Sequence, residues 1–327
     1  VIPALIKPYP EGRSQRDSWI LNLRRDRNPV DPRRPYGFFV EEEMDSRGYL
    51  ARTAVILLTN RECPWRCLMC DLWKNTLTDS APPGAITEQV AFAMDQLGPA
   101  EVVKLYNSGS FFDPRAIPVE EYARVAARLH GSRNVIVESH PALVGDRVLR
   151  LRDLLDGTLE VALGLETAQP EVLEKLNKGM TLEQFAKACD YLRGIGIAVR
   201  AFIIIRPPFT TEDEAAYWAK RSIDFAFDCG AGAVSLIPAR AGNGALEALK
   251  ISGAFQPPQI TTVEEVMEYG LSQKRGRVFV DLWAAEAMRA CAGCRELRME
   301  RLRSMNRQQR VASVIECGDC QYAPETV

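Results

Sequence analysis

From about residue 51 to residue 240 the chain alternates short apolar runs, rich in β-branched residues, with longer amphipathic stretches. Continuous short apolar runs fit strands buried on both faces. Apolar positions three and four residues apart fit helices with one face on a core. The apolar runs fall at residues 54–58, 101–106, 134–140, 159–166, 197–205 and 233–238. Between them the spacing predicts helices over 87–97, 118–129, 146–155, 170–176, 181–195 and 212–229, with Thr87 as an N-cap. Strand–helix alternation predicts an α/β fold with a parallel sheet, because each crossover returns the chain to the same end. Six such units predict a partial (β/α)6 barrel. A doubly wound open sheet satisfies the same rhythm.

The flanks read differently. Residues 1–50 are polar and proline-spotted and form an N-terminal extension with some helix. In it, Trp19-Ile20-Leu21 and Phe38-Phe39-Val40 can dock on a core. Residues 51–240 form the core. Residues 241–327 form a C-terminal extension with loop signals at Gly242-Asn243-Gly244 and Gln256-Pro257-Pro258, a helix over 262–271 and a further apolar run at 278–283.

Composition sets limits. Its 46% hydrophobic and 26% charged residues are ordinary for a soluble globular protein. A net charge of −2 does not advertise nucleic-acid binding. Arginines do cluster, at 24, 25, 27, 33 and 34 and again at 295, 298, 301, 303, 307 and 310. Each cluster alone reads as a solvated face, and the two together hint at a phosphate-rich substrate. No apolar run is long enough to span a membrane, and no secretory signal pattern is present. Seven of the nine cysteines fall in tight motifs, which argues for metal sites in a reducing cytosol and a cytoplasmic location.

The chemistry centres on Cys63, Cys67 and Cys70, spaced C-x3-C-x2-C just after the first apolar run. Thiolates select zinc, copper(I) or iron–sulfur iron. No fourth cysteine or histidine lies nearby: the next cysteine is Cys189, and the histidines are His130 and His140. The site reads as a four-iron cluster with one open iron, as a zinc loop borrowing a distant ligand, or as a chance cluster of cysteines. Cys291, Cys294, Cys317 and Cys320 form C-x2-C…C-x2-C. Four thiolates there hold a structural zinc or an auxiliary four-iron cluster, and the spacing does not separate the two. Small and acidic residues end several runs: Ser108, Gly109 and Ser110 after the second, Glu138 in the third and Glu166 in the fourth. Parallel barrels place their chemistry at these strand ends. Arg200 lies inside the fifth run, where a charge needs a partner. Glu166 is one candidate. His140, near Glu138, reads equally as a site residue or as a plain loop histidine.

Three cysteines and a vacancy resemble the motif of radical S-adenosylmethionine (SAM) enzymes. Further matches are Tyr106-Asn-Ser-Gly-Ser-Phe, Val137-Glu-Ser-His-Pro, Gly164-Leu-Glu-Thr-Ala, Leu176-Asn-Lys-Gly and Arg206-Pro-Pro-Phe. Together they are similar to the Elongator-like/MiaB-like group, including the archaeosine-synthase radical SAM subunit family. The resemblance implies a [4Fe-4S] cluster on Cys63, Cys67 and Cys70, with SAM on the open iron. Cleavage of SAM there gives a 5′-deoxyadenosyl radical. It also implies SAM contacts from Met69 near the adenine, from Ser108, Gly109 and Ser110 at the methionyl ammonium, from Glu138 and Glu166, and from Arg200 at the carboxylate. The family acts with a partner enzyme that attaches lysine to a deazaguanine base in tRNA. It then breaks a C–N bond to leave an amidine. An electron donor such as ferredoxin or flavodoxin is implied. Two other readings stay open: a radical SAM enzyme for a small molecule or peptide with an auxiliary cluster, and a zinc-stabilised nucleic-acid-binding protein without catalysis.

Overall fold

The computed structural model describes residues 8–283 and 285–318. Within them eight strands form one sheet whose spatial order follows chain order. They are β1 (Gly37–Met44), β2 (Leu50–Leu57), β3 (Val102–Tyr106), β4 (Asn134–Ser139), β5 (Thr158–Glu166), β6 (Ala198–Ile205), β7 (Ala233–Pro238) and β8 (Arg277–Val280). β1 is antiparallel to β2, and every later neighbour is parallel. A doubly wound sheet reverses its strand order at a switch point. Here every crossover steps the same way, so the sheet curls into a partial barrel and the open-sheet alternative falls.

The helices are α1 (Arg13–Leu23), α2 (Ala85–Leu97), α3 (Tyr122–Arg128), α4 (Asp146–Arg152), α5 (Pro170–Lys175), α6 (Leu182–Gly194), α7 (Glu212–Asp228), α8 (Ala245–Ile251), α9 (Ile260–Ser272) and α10 (Arg295–Gln308). Alternate strand residues face outward, among them Val103, Val137, Leu163, Ile203 and Leu236. They share one buried core with Val90 of α2, Phe185 of α6, Ile223 of α7 and Val266 of α9. α2 starts earlier than its apolar spacing predicts. Gly84 is its N-cap, and Thr87 lies inside its first turn. The cap is tertiary: the Glu121 carboxylate accepts from the backbone N–H groups of Gly84 and Thr87, at 2.9 and 2.8 Å.

The sheet runs across residues 50 and 240. β1 escapes the apolar pattern because its inward positions are acidic. Glu41 and Glu43 reach Lys104 at 2.6 and 2.5 Å, and Glu43 also reaches Arg200 at 2.6 Å. β8 is too short to carry a periodic signal. Its outer edge is closed by amides near the end of α10. Asn306 exchanges hydrogen bonds with the backbone of Val280 and Gln309 with that of Val278, at 2.8–2.9 Å. These side chains occupy the bonds that another strand would take.

Candidate active site

The chain leaves β2 at the carboxyl end of the barrel and crosses the mouth as the loop holding Cys63, Cys67 and Cys70. Side chains from four distant elements fix it. Glu62 accepts from Arg24 at 2.6 Å, from Arg27, and from Arg66 at 3.0 Å. Asn177 donates to the Arg66 carbonyl at 2.8 Å and to Asp17 of α1 at 2.7 Å. Asn243 donates to the carbonyls of Leu68 and Cys70 at 2.7 and 3.3 Å. The Trp65 ring stacks on His140, with centroids 3.7 Å apart and planes 9° from parallel. His140 is neutral in this setting, since burial lowers its pKa to about 3. Its Nδ1 accepts from the Ala142 N–H at 3.1 Å, and Nε2 faces the Lys178 carbonyl at 3.2 Å.

Burial pushes the Cys63, Cys67 and Cys70 thiols up to about 12. Protonated thiols do not ligate, so the loop needs a metal's charge to hold thiolates. Beside it, the turn after β3 approaches so closely that a Cβ on Gly109 would stand 3.2 Å from Cys63 Cβ. Ser108, in the same turn, takes φ = 55° without being glycine. Glu138, from β4, is tied to this turn. Its carboxylate accepts from the backbone N–H of Asn107 at 2.5 Å and of Gly109 at 3.4 Å. Burial raises its pKa to about 7 despite those bonds. Asn107 is fully buried, and neither atom of its side-chain amide has a partner among the described residues. A buried amide left with a free donor and acceptor is costly and fits a site awaiting a polar ligand.

On the opposite wall, Lys178 donates to Glu166 Oε1 at 2.7 Å, and both side chains are buried. Burial works against the Lys178 charge, yet Glu166 and then the nearby Cys67 and Cys63 sulfurs hold its pKa above the ordinary range. A Cβ on Gly164 would meet the Glu166 carboxylate and the Lys178 ammonium, so a larger residue there would have to displace the pair. Glu166, Asn177 and Arg206 adopt φ of 67°, 58° and 55°. Left-handed non-glycine residues, two of them at the ends of β5 and β6 and one after α5, are the kind of local strain that collects where a site is built.

A sequence model of the radical SAM superfamily matches residues 57–217, the stretch from the end of β2 into α7. The chain belongs to the radical SAM superfamily. An uncharacterized protein of Methanocaldococcus jannaschii is 25% identical over 260 residues, covering 75% of this chain and 71% of that one. The archaeosine synthase subunit beta of Methanosarcina acetivorans is 26% identical over 233 residues, 67% of either chain. The solved structure of Methanocaldococcus infernus Elp3 superposes with a TM-score of 0.51 at 18% identity. It covers 67% of this chain and 59% of that one, and shows a shared fold. A zinc-stabilised module without catalysis is no longer tenable for a radical SAM chain.

The barrel brings Ser108, Gly109, Glu138 and Glu166 to the loop of Cys63, Cys67 and Cys70. Arg200 is not a mouth residue and does not pair with Glu166. It lies lower on the inner face, with its guanidinium spent on Glu43 at 2.6 Å and Glu160 at 2.7 Å. The Ser110 hydroxyl is buried against Ser139, 2.9 Å away. Met69 packs on a small core formed by Trp19, Ile20, Ile204 and Leu246. Several arginines of the two clusters serve the fold instead of facing outward: Arg24 and Arg27 clamp the cysteine loop, while Arg298 and Arg301 are buried against Glu264. Cys291, Cys294 and Cys317 gather by themselves, and Cys320 lies outside the described residues. Lys178 and Asn107 were missed as site residues. The signal was available in the Leu176-Asn-Lys-Gly and Tyr106-Asn-Ser motifs, whose polar residues directly follow an apolar element.

Proposed function

We propose that this radical SAM enzyme acts as a lyase on a lysine-bearing deazaguanine nucleoside in tRNA. It breaks a C–N bond to leave an amidine and works beside a partner enzyme that attaches the lysine. The observation that carries this reading is the similarity to an archaeosine synthase subunit beta over two thirds of both chains. Cys63, Cys67 and Cys70 would hold the cluster. The closeness of Gly109 to that loop and the unpartnered Asn107 amide are what a bound polar cofactor requires. When bound, a [4Fe-4S] cluster open at one iron supplies an electron that cleaves SAM and so provides a hydrogen-abstracting radical.

The chain's own residues bind and orient. Lys178 presents a buried ammonium beside Cys63 and Cys67 and suits the methionyl carboxylate. Glu166 keeps that ammonium charged and aimed. The Asn107 amide and the backbone carbonyls of the Ser108–Ser110 turn offer acceptors to the methionyl ammonium. Glu138 fixes the shape of that turn through its N–H groups. The Trp65–His140 stack keeps the loop in one conformation over the mouth.

The test is anaerobic turnover of reconstituted enzyme with reductant, SAM and tRNA carrying the lysine adduct. Formation of 5′-deoxyadenosine together with the amidine nucleoside is expected. Cleavage of SAM with the adduct left intact, and turnover of a free lysine-like small molecule instead, would replace the tRNA reading with the small-molecule one.

A further inference from the structure

The sulfurs of Cys291, Cys294 and Cys317 all lie within 4.8 Å of one another, and Cys291 Sγ stands 3.8 Å from Cys317 Sγ. A tetrahedral ion with metal–sulfur bonds of about 2.3 Å holds its thiolates about 3.8 Å apart. A four-iron cluster puts each thiolate on its own iron, so an iron–iron edge separates the ligands and spreads them wider. A disulfide would bring two sulfurs to about 2 Å.

We propose that Cys291, Cys294 and Cys317 form a mononuclear tetrahedral thiolate site for zinc, which latches the segment that follows α10 onto that helix and takes no part in electron transfer. The surroundings fit such a latch. Cys291 and Cys294 lie just before α10, and Cys317 lies beyond it. The segment after α10 runs back along the helix. Arg301 donates to the carbonyls of Ala312 and Ser313, both at 2.7 Å, and Arg298 donates to that of Ile315 at 3.0 Å. Arg298 also places Nε 3.1 Å from Cys294 Sγ. A guanidinium donating to a ligand sulfur offsets thiolate charge and orients the ligand. Glu264 of α9 holds both arginines in place. In the sequence Cys320 follows Cys317 at knuckle spacing, and it lies outside the described residues. Zinc is favoured over a single iron because such sites bind Zn²⁺ more tightly than Fe²⁺.

The test starts from the Cys63→Ala/Cys67→Ala/Cys70→Ala variant, reconstituted with iron and sulfide and then assayed for metals. Roughly one zinc per chain is expected, with no iron–sulfur absorbance. Adding Cys291→Ser and Cys317→Ser should release that zinc. Retention of about four irons with sulfide would overturn the proposal in favour of an auxiliary cluster. A single bound iron, or zinc that survives the two serines, would overturn it as well. Cobalt(II) exchanged into the otherwise unaltered chain gives a second readout that needs no variant to fold. Intense tetrahedral visible bands with sulfur-to-metal charge transfer support the site, and a weak octahedral spectrum refutes it.

Discussion

Lys178 shows how one side chain can serve two ends. Its ammonium is buried, and a buried charge survives only with a partner. Glu166 supplies one, 2.7 Å away, and the cysteine loop supplies further negative charge once it is metallated. A methionyl carboxylate would add a second ion pair to a cation already oriented. Charged hydrogen bonds contribute about 1.5–3 kcal/mol, so Lys178→Met should weaken SAM binding roughly ten- to hundredfold. The iron content should stay unchanged. Equilibrium dialysis with SAM, read beside iron and sulfide analysis, checks this. Loss of the cluster with SAM affinity retained would instead make Lys178 a support for the loop. Trp65 and His140 act differently. They carry no charge at neutral pH and hold the loop by contact alone.

At the scale of the element, β1 closes the lower half of the barrel interior. Arg200, Lys104, Glu43 and Glu160 form one buried network there, joined by Arg277, which donates to Glu160 at 3.0 Å. The network lies below the mouth and is structural. Arg200→Met leaves Glu43 and Glu160 without their main partner and should cost about 3–5 kcal/mol of stability. It should leave SAM affinity in the folded fraction unaltered. Urea unfolding and SAM titration on the same preparation separate the two effects.

The network also sets a pH dependence. Burial alone would raise the Glu43 carboxyl, but Arg200 and Lys104 outweigh it and hold it well below its ordinary value of 4.5. Glu160 is lowered likewise, with Arg200 and Arg277 overcoming burial. Carboxyls depressed on folding add stability in full above about 4.5 and lose it as the pH falls. The urea midpoint should therefore drop steeply in acid. Glu43→Gln should lower the midpoint at neutral pH and flatten the acid limb. An unchanged acid limb would mean that Glu43 titrates alike in the folded and unfolded chain.

For the whole molecule, the superfamily match ends inside α7, but the sheet does not stop there. β1 precedes the match, and β7 and β8 follow it. Residues 51–240 produced alone would expose the edges of β2 and β7 and leave Lys104 and Arg200 buried without Glu43. Such a fragment should aggregate or melt without cooperativity, whereas the full chain should melt cooperatively. Size-exclusion chromatography and thermal circular dichroism decide the point, and a monomeric, cooperative fragment would refute it.

The sequence by itself determined the six central strands, their helices, the cysteine loop and the strand-end residues Ser108, Gly109, Glu138 and Glu166. Each of these has a local cause: an apolar run, an amphipathic period, a spacing of thiols, or a polar residue following a run. Tertiary structure decided what depends on distant partners. β1 looked like a polar extension because its inward acids meet Lys104 and Arg200, residues far along the chain. Thr87 looked like a cap because Glu121, which does that work, is the residue just before α3. Arg200 looked available to a ligand because its two glutamates lie on different strands. Spacing left the occupant of the C-terminal cysteines open, because a knuckle's sequence fixes the number of sulfurs while only the fold sets the distance between them.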